Sequence, residues 1–271
     1  ERRKIGHFLS EKNKQITASI KLLESKLALL EEKRSVLITQ AITQGFNPNM
    51  DMKNSGISWL GDIPSHWSLS KVGYLSKIIS KGTTPSTLNR EFVPQGIKFL
   101  KAENIHYDGS VSALPNFYID EETDKLLKRS RLKSNDILMV IAGATTGKCA
   151  ILNSDFIPAN TNQAVCFIRL NDTRISKFIQ SWLSCELIQE QIKQDSVQSA
   201  QPNLAMEEIR NFVCPLPPID EIEHITNRII EFTNIISNSK SILEKQINCL
   251  IEYRESLISA AVTGKIDVRS L

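Results

Sequence analysis

The chain has 271 residues, 41% of them hydrophobic, and its 33 basic and 30 acidic side chains give a formal net charge of +3. This composition allows a packed core, and the length leaves room for one domain of ordinary size plus additional long elements. A net charge this small is not enough for the chain to bind nucleic acid through its overall charge. Such binding would need a local basic surface. The sequence has no apolar run long enough for a membrane span. Its five cysteines lack a CxxC pair, which argues against a zinc site or a disulfide framework and favours a cytoplasmic location.

Residues 1–46 carry an apolar residue at every seventh position. The series is Leu9, Ile16, Leu23, Leu30 and Leu37. Such a repeat predicts a long helix that packs against another helix, although a helix packed on a globular core can show the same period. Gly45, with Pro48 just beyond it, predicts the end of this helix.

Residues 47–218 lose this repeat and predict a mixed domain of helices and strands. Apolar or β-branched runs predict strands at 97–101, 136–142, 148–152 and 164–170. The glycine-flanked segment 143–147 predicts a hairpin turn between the second and the third of them. Apolar residues at helical spacing predict helices at 120–129 and 175–193.

Residues 219–271 repeat the first helix. Residues 1–43 align with 221–263 without a gap and share fourteen identities. The heptad positions recur as Ile229, Ile236, Leu243, Leu250 and Leu257. Asp220 is predicted to cap this helix, with Glu223 as its capping-box partner, and Gly264 predicts its end. Because Glu1 aligns with Glu221, inside the second copy, we expect the chain to be a piece of a longer protein.

Two related helices that bracket a mixed domain predict an α+β fold with three parts: 1–46, 47–218 and 219–271. One helix leads into the middle region and the other leads out of it, which predicts a globular mixed α/β head on a stalk of two antiparallel coiled-coil helices. At 1.5 Å per residue, each helix would be about 60 Å long, several times what a small domain needs for its own core. The helices are therefore expected to act as spacers.

Several segments, in this order, resemble the specificity subunit of bacterial type I restriction-modification systems. They are the helix end EEKRSVLITQAITQG and its echo IEYRESLISAAVTGK, the entry MKNSGISWLGDIPSHW, the turn GATTGK, the segment NTNQAV and the exit QPNLAMEEIRNFVCPLPPIDE. The resemblance covers essentially the whole chain and matches the family's central helix, second target recognition domain and C-terminal helix. It implies a non-catalytic subunit that reads one half of a bipartite DNA target. The family's first target recognition domain is missing, which leaves open whether one such chain reads a full target.

The resemblance also implies partners and cofactors. Double-stranded DNA and the modification (methyltransferase) and restriction subunits are the expected partners, and the helices are the expected docking surface or the interface of a homodimer. S-adenosylmethionine, ATP and magnesium are expected on the partner subunits, and this chain is expected to hold no cofactor and no metal.

The residues expected to contact DNA lie in loops rich in side chains that read base edges or bind phosphates. They are Lys81, Thr83, Thr84, Ser86, Lys101, Asn104, Thr145, Thr146, Lys148, Asn160, Asn162, Gln163, Gln198, Gln201 and Asn203. Each also has a simpler interpretation, because Asn and Thr in turns usually bond to nearby backbone groups. Trp59 and Trp67 are predicted to anchor the globular head against the helical stalk, with stacking on bases as the alternative.

Two other functions stay open. A coiled-coil scaffold or dimerisation protein whose head binds a non-DNA ligand would share the helices but would not need the amide-rich loops. An enzyme dimerised by its helices would need a titratable cluster, and the nearest candidate, the acidic stretch 120–124, better fits the first turn of a helix. The segment from Gly143 to Cys149 is one residue short of a P-loop and lacks the magnesium-binding Ser or Thr, which argues against ATP binding there.

Overall fold

The computed structural model describes residues 2–196 and 203–266, and the chain divides into two compact units. We call residues 1–37 with 229–271 the helical unit, and residues 38–228 the central unit. The helices are α1 (Arg2–Gln44), α2 (Val72–Leu75), α3 (Glu121–Leu126), α4 (Ser176–Ser184), α5 (Glu186–Ser196), α6 (Met206–Asn211) and α7 (Ile219–Val262). The strands are β1 (Met52–Asn54), β2 (Asp62–Pro64), β3 (Ser68–Lys71), β4 (Ser76–Lys81), β5 (Ile97–Leu100), β6 (Tyr118–Ile119), β7 (Ile137–Val140), β8 (Cys149–Ile151), β9 (Ala159–Thr161), β10 (Val165–Leu170) and β11 (Val213–Leu216). Within the described residues, no helix is both long and apolar enough to cross a membrane.

The helical unit contains the greater part of α1 and of α7, which run antiparallel. Glu31 of α1 forms an ion pair with Lys240 of α7. Earlier on α1, Leu23 lines a groove together with Gln246 and Leu250, which lie later on α7. Positions nearer the start of α1 therefore lie beside positions nearer the end of α7, as in an antiparallel pair. All ten predicted heptad positions are buried or half-buried, which confirms the predicted apolar seam.

The C-terminal end of α1 was predicted correctly, whereas the N-terminal end of α7 was not. α1 ends at Gln44, and Gly45 follows with φ +72°, a conformation that favours glycine, so the predicted end is confirmed. The prediction that Asp220 caps α7 is wrong, because α7 already begins at Ile219. The Pro218 carbonyl accepts from the Ile222 N–H at 3.0 Å, so Pro218 takes the capping position and Asp220 lies in the first turn.

The central unit is built around a four-stranded antiparallel sheet in the order β4, β10, β7 and β8. A three-stranded sheet contains β6, β5 and β9, with β5 parallel to β9. β1 pairs with β2, and β3 pairs with β11. The four strands predicted from apolar runs correspond to β5, β7, β8 and β10, and the predicted hairpin turn joins β7 to β8. The α+β fold class, with two long antiparallel helices and a mixed domain, is therefore confirmed.

The helix predicted at 175–193 is wrong as a single element, because it is broken at Cys185 into α4 and α5. Cys185 adopts an extended conformation, with φ −72° and ψ 156°. The break frees backbone carbonyls, and the side chain of Gln189 donates to one of them, that of Leu183, at 2.8 Å. A period of apolar residues continues across such a break, so the sequence pattern gave no sign of it.

The acidic stretch at 120–124 forms the start of α3, as predicted. Asp120 caps the helix, and its carboxylate accepts from the Thr123 backbone N–H at 2.6 Å. Hydrogen bonds from Thr123 lower the pKa of Asp120 below its usual range. The stretch therefore begins a helix, and a 3₁₀ turn at Lys128–Ser130 completes the segment predicted as helical.

Trp67 anchors the first turn of α7, as predicted. Its side chain is buried, its indole N–H donates to Glu221 Oε2 at 3.1 Å, and its ring packs edge-on against Phe178. Trp59 differs from the prediction, because it stacks on the buried Trp182 of α4, with ring centroids 6.1 Å apart. Both tryptophans therefore serve the interior of the central unit, and Trp67 fixes the first turn of α7 within it.

A buried ion pair joins β10 to the start of β7. The Arg169 guanidinium donates to both carboxylate oxygens of Asp136, at 2.8 and 2.6 Å. Burial raises the pKa of Asp136, and the hydrogen bonds from Arg169 and Lys133 oppose this effect. The pair lies where β10 ends and β7 begins, at the opposite end of the sheet from the loops described next.

Candidate nucleic-acid interface

One end of the four-stranded sheet collects most of the loops that were predicted to bind DNA. Neighbouring strands are antiparallel, so the ends of β4 and β7 lie beside the starts of β10 and β8. The register confirms this arrangement, because Lys81 pairs with Cys166, Val140 with Val165, and Met139 with Cys149. We call the segments 81–86, 141–148, 162–164 and 203–204 the loop end.

Backbone hydrogen bonds join the loop after β4 to the loop before β10. The Gly82 N–H donates to the Asn162 carbonyl at 3.0 Å, and the Thr83 N–H donates to the Thr161 carbonyl at 3.2 Å. A Cβ atom at position 82 would lie 1.7 Å from the Thr161 carbonyl oxygen, so this approach requires glycine. The two loops therefore form one surface.

The segment that contains Asn203 joins the same surface. The Leu204 N–H donates to the Ile141 carbonyl, and the Ile141 N–H donates to the Ala164 carbonyl, both at 2.8 Å. Asn203 forms an isolated bridge with Ala142 and is exposed. The predicted Gln198 and Gln201 lie outside the described residues.

Gln163 is exposed at the centre of the loop end and is bonded to Thr84. The Thr84 backbone N–H donates to Gln163 Oε1 at 3.1 Å, and the Thr84 hydroxyl donates to the same oxygen. Beside it, Asn162 Oδ1 accepts from the Ala164 N–H at 3.2 Å. Both side-chain amides are thus held through their oxygens.

The turn between β7 and β8 carries Thr145, Thr146 and Lys148. The Thr146 hydroxyl donates to the Gly143 carbonyl at 2.8 Å, which closes the turn. Lys148 leads directly into strand β8, whereas a P-loop lysine leads into a helix, so the geometry agrees with the argument against ATP binding.

A small cavity of about 270 Å³ lies beside this turn and is lined in part by Thr146, Lys148 and Lys193. The Lys148 ammonium lies 4.7 Å from the ring centroid of Tyr107, which is exposed and also lines the cavity. Sequence reasoning missed Tyr107, because it is far from Lys148 along the chain and no local motif marks it.

Arg129 adds a cation to the loop end that sequence reasoning also missed. Its guanidinium donates to Ser80 Oγ at 3.0 Å and to the Lys81 carbonyl at 3.5 Å. Both Arg129 and Lys81 are exposed. The signal was present in the sequence, because Arg129 belongs to the basic run KRSRLK at 128–133.

Asn104 and Asn160 do not fit their predicted role at the DNA surface. Both are buried. Asn104 donates to the carbonyls of Ser112 and Pro115 and accepts from the Lys101 N–H. Asn160 accepts from the Ser130 hydroxyl at 2.7 Å and donates to Asp124 and to the Leu127 carbonyl. Their amides satisfy interior backbone and side-chain groups, so we remove both residues from the candidate surface.

Lys101 lies next to the loop end but points its charge at aromatic rings. It follows β5, whose last residue, Leu100, pairs with Thr161. Its ammonium lies 3.4 Å from the ring centroid of Phe117 and 4.4 Å from that of Phe92. These cation–π contacts make Lys101 a packing residue of this region as well as a neighbour of the candidate surface.

The remaining predicted residues are all brought together at the loop end. They are Lys81, Thr83, Thr84, Ser86, Thr145, Thr146, Lys148, Asn162, Gln163 and Asn203. They provide amides, hydroxyls and ammonium groups, which are the groups that bind base edges and phosphates. Their contact with DNA stays a prediction.

The central unit also contains four buried thiols. Burial raises the pKa of Cys149, Cys166 and Cys185 to about 12 and that of Cys214 well above its usual value. These thiols are protonated at neutral pH and act as small apolar groups in the core. In the part of the chain that the structure describes, no group of three or more His, Cys, Asp or Glu residues is arranged to hold a metal ion.

The chain is similar to known specificity subunits of type I restriction enzymes. The family model described as type I restriction modification DNA specificity domain matches residues 64–253. The specificity subunit of the type I restriction enzyme EcoBI from Escherichia coli is 29% identical over 181 residues, which cover 64% of this chain and 36% of that protein. The MjaVIII specificity subunit from Methanocaldococcus jannaschii is 24% identical over 279 residues, which cover 100% of this chain and 61% of that protein. The chain thus spans about a third to three fifths of the length of these relatives.

Solved structures share the fold. A chain from a structure titled as the basis of complex assembly and conformational transition of the type I R-M system aligns with a TM-score of 0.73 at 14% identity, covering 96% of this chain and 58% of that one. The HsdS subunit from Thermoanaerobacter tengcongensis aligns with a TM-score of 0.56 at 14% identity, covering 97% of this chain and 58% of that one. Because the family model matches well over half of the sequence, the chain belongs to the type I restriction modification DNA specificity domain family.

Proposed function

We propose that this chain recognises a short sequence of duplex DNA through the loop end of its central unit, as a specificity subunit of a type I restriction-modification complex. Membership of a DNA specificity family supports the proposal. The single observation that carries it is the convergence of polar loops, far apart in sequence, at one end of one sheet. Loops held by a rigid sheet can place base-contacting side chains at fixed positions.

Two kinds of side chain at the loop end would contribute to DNA recognition. Lys81 and Arg129 are exposed cations suited to phosphates, which supply affinity without sequence information. Gln163, Asn162 and Asn203 are amides suited to base edges in the major groove, which supply sequence information. A surface with both kinds of group can bind any duplex weakly and its target tightly.

We further propose that one central unit reads one half of a bipartite target. The other half would be read by a second recognition domain or by a second copy of this chain. The 43 residues of α1 and the 44 of α7 make helices of about 65 Å at 1.5 Å per residue. Helices of this length would set the spacing between the two half-sites, since that spacing follows from the protein that spans it.

The helical unit is the proposed docking surface for the modification and restriction subunits, or for a second copy. It has an apolar groove of about 610 Å³ lined in part by Leu23, Ile242 and Tyr253, and the last two are more than half exposed. In this proposal the chain is not itself catalytic. Methylation with S-adenosylmethionine and the reactions that use ATP and magnesium would belong to the partner subunits.

The proposal can be tested by selecting duplexes from a random pool with the full chain, alone and together with methyltransferase subunits. We expect a recurrent sequence motif and an affinity that falls steeply as salt is raised. Binding without any motif under both conditions would contradict the role as a reader. Absence of duplex binding even at low salt would instead favour a scaffold with a non-DNA ligand.

A further inference from the structure

The hydrogen bonds of Gln163 fix which end of its side-chain amide faces outward. The Thr84 backbone N–H can only donate, so the atom 3.1 Å from it must be the amide oxygen, which settles the orientation of the amide. The Thr84 hydroxyl donates to the same oxygen. A carbonyl oxygen has two lone pairs, and both are therefore occupied.

The amino group of Gln163 is left as a donor. The side chain is exposed, and its Nε2 donates to no residue in the described part of the chain. This group carries two N–H donors and accepts nothing. Thr84 therefore converts a side chain that could both donate and accept into one that only donates.

This restriction changes which base the side chain can recognise. A glutamine with a free oxygen contacts adenine at two points, because it accepts from the N6 amino group and donates to N7. Gln163 cannot accept from N6 while Thr84 occupies its oxygen. Guanine shows two acceptors, O6 and N7, in the major groove and is the best match for a donor, whereas the amino group of cytosine is a mismatch.

We propose that Gln163 reads guanine in the major groove as a donor, and that Thr84 is the positioning residue that imposes this preference. The inference rests on the proposed function, because it requires the loop end to face DNA. It assigns a base and a hydrogen-bond direction to one side chain of that surface.

The test compares base preferences at every position of the selected motif for the full chain and three variants. Gln163→Glu keeps an oxygen for Thr84 but replaces the amino group by an acceptor. Thr84→Val removes the hydroxyl and returns one lone pair to Gln163. Gln40→Glu makes the same charge change at an exposed glutamine of α1 and serves as the control.

For the unaltered chain we expect one position at which guanine is preferred over cytosine by about tenfold. Gln163→Glu should abolish this preference and favour cytosine there, because its carboxylate accepts from the N4 amino group. Thr84→Val should admit adenine at the same position, and Gln40→Glu should change nothing. Thermal unfolding of each variant checks that it is folded.

The outcomes separate this inference from the proposed function. If the unaltered chain selects a motif but Gln163→Glu leaves all base preferences unchanged, the inference is wrong and the proposed function stands. If Gln163→Glu does not bind DNA at all, the Thr84→Val variant provides the test. A Thr84→Val motif that still excludes adenine at the guanine position contradicts the positioning role of Thr84. If the unaltered chain selects no motif, the proposed function itself fails.

Discussion

The helical unit and the central unit bury their apolar residues to different extents. In the central unit Phe167, Phe178 and Leu138 are completely buried. In the helical unit the seam residues are buried or half-buried, while Leu22 and Leu29 beside them are 57% and 62% exposed. The central unit is therefore stabilised by its own core, whereas the helices keep apolar surface that a partner can cover.

The repeated sequence shows the same contrast between equivalent residues. Ala41 and Ile42 of α1 belong to the central unit and are fully buried. Of their equivalents in the second copy, which belong to the helical unit, Ala261 is also buried, whereas Val262 is 68% exposed. Ile42 and Val262 are similar residues at equivalent positions, so the environment of each copy decides whether this position is part of a core.

The largest expected effect is on stability, when the same leucine-to-alanine substitution is made in each unit separately. Leu138→Ala should destabilise the central unit by about 2–5 kcal/mol, because it leaves a cavity in a packed core. Leu22→Ala, at an exposed position of α1, should change stability by no more than about 0.5 kcal/mol. The three tryptophans, Trp59, Trp67 and Trp182, all lie in the central unit, so their fluorescence during urea unfolding reports on that unit alone. Far-UV circular dichroism follows the helices, and equal losses for the two variants would contradict the contrast.

A second large effect concerns the buried ion pair of the central unit. Arg169→Met should cost about 3 kcal/mol at neutral pH, because it leaves the Asp136 carboxylate buried without its partner. It also removes an interaction that lowers the pKa of Asp136, so that pKa rises further. A raised pKa in the folded state means that stability falls as the pH rises through it, so the deficit should shrink at acidic pH.

Urea unfolding at a series of pH values measures this effect. Arg174→Met is the matched control, because Arg174 forms an exposed ion pair with Asp172 and its loss should matter little. A deficit for Arg169→Met that is the same at every pH would contradict the assigned role of Asp136.

A smaller effect should separate the two units in DNA binding. Lys81→Ala and Arg129→Ala should each weaken binding several-fold and lower the slope of log affinity against log salt by about 1, because each removes one phosphate contact. Lys21→Ala, at an exposed position of the helical unit, is the control and should leave the slope unchanged. Binding titrations across a salt series measure both quantities, and a fall in the slope for Lys21→Ala alone would reverse the assignment of the two units.

The smallest effect is expected for the ion pair between the helices. Lys240 and Glu31 are about one third and one half exposed, so Lys240→Ala should cost no more than about 1 kcal/mol. Thermal unfolding followed by far-UV circular dichroism should show this loss at low salt and much less of it at high salt. Lys26→Ala, at another exposed position of α1, is the control. A loss that persists in high salt would mean that Lys240 stabilises the helices through packing.

The helices could be predicted from sequence because their heptad pattern is local and occurs twice. The loop end could not, because it depends on the strand order: β4 lies beside β10, which is far away along the chain. Asn160 and Asn162 look alike in the sequence, yet Asn160 is buried in a hydrogen-bond network and Asn162 is half-buried at the loop end. The polar loops could be found from their composition. Which of their side chains share one surface depends on the register of the sheet, which the sequence does not show.

DNA reading by the loop end is tested most directly by amide hydrogen exchange of the full chain, with and without a duplex that carries the selected motif. We expect DNA to slow exchange at the loop end, in segments 82–84, 143–148 and 162–164. Protection confined to the opposite end of the sheet, around residues 171–174, or to the helical unit would contradict this role of the loop end.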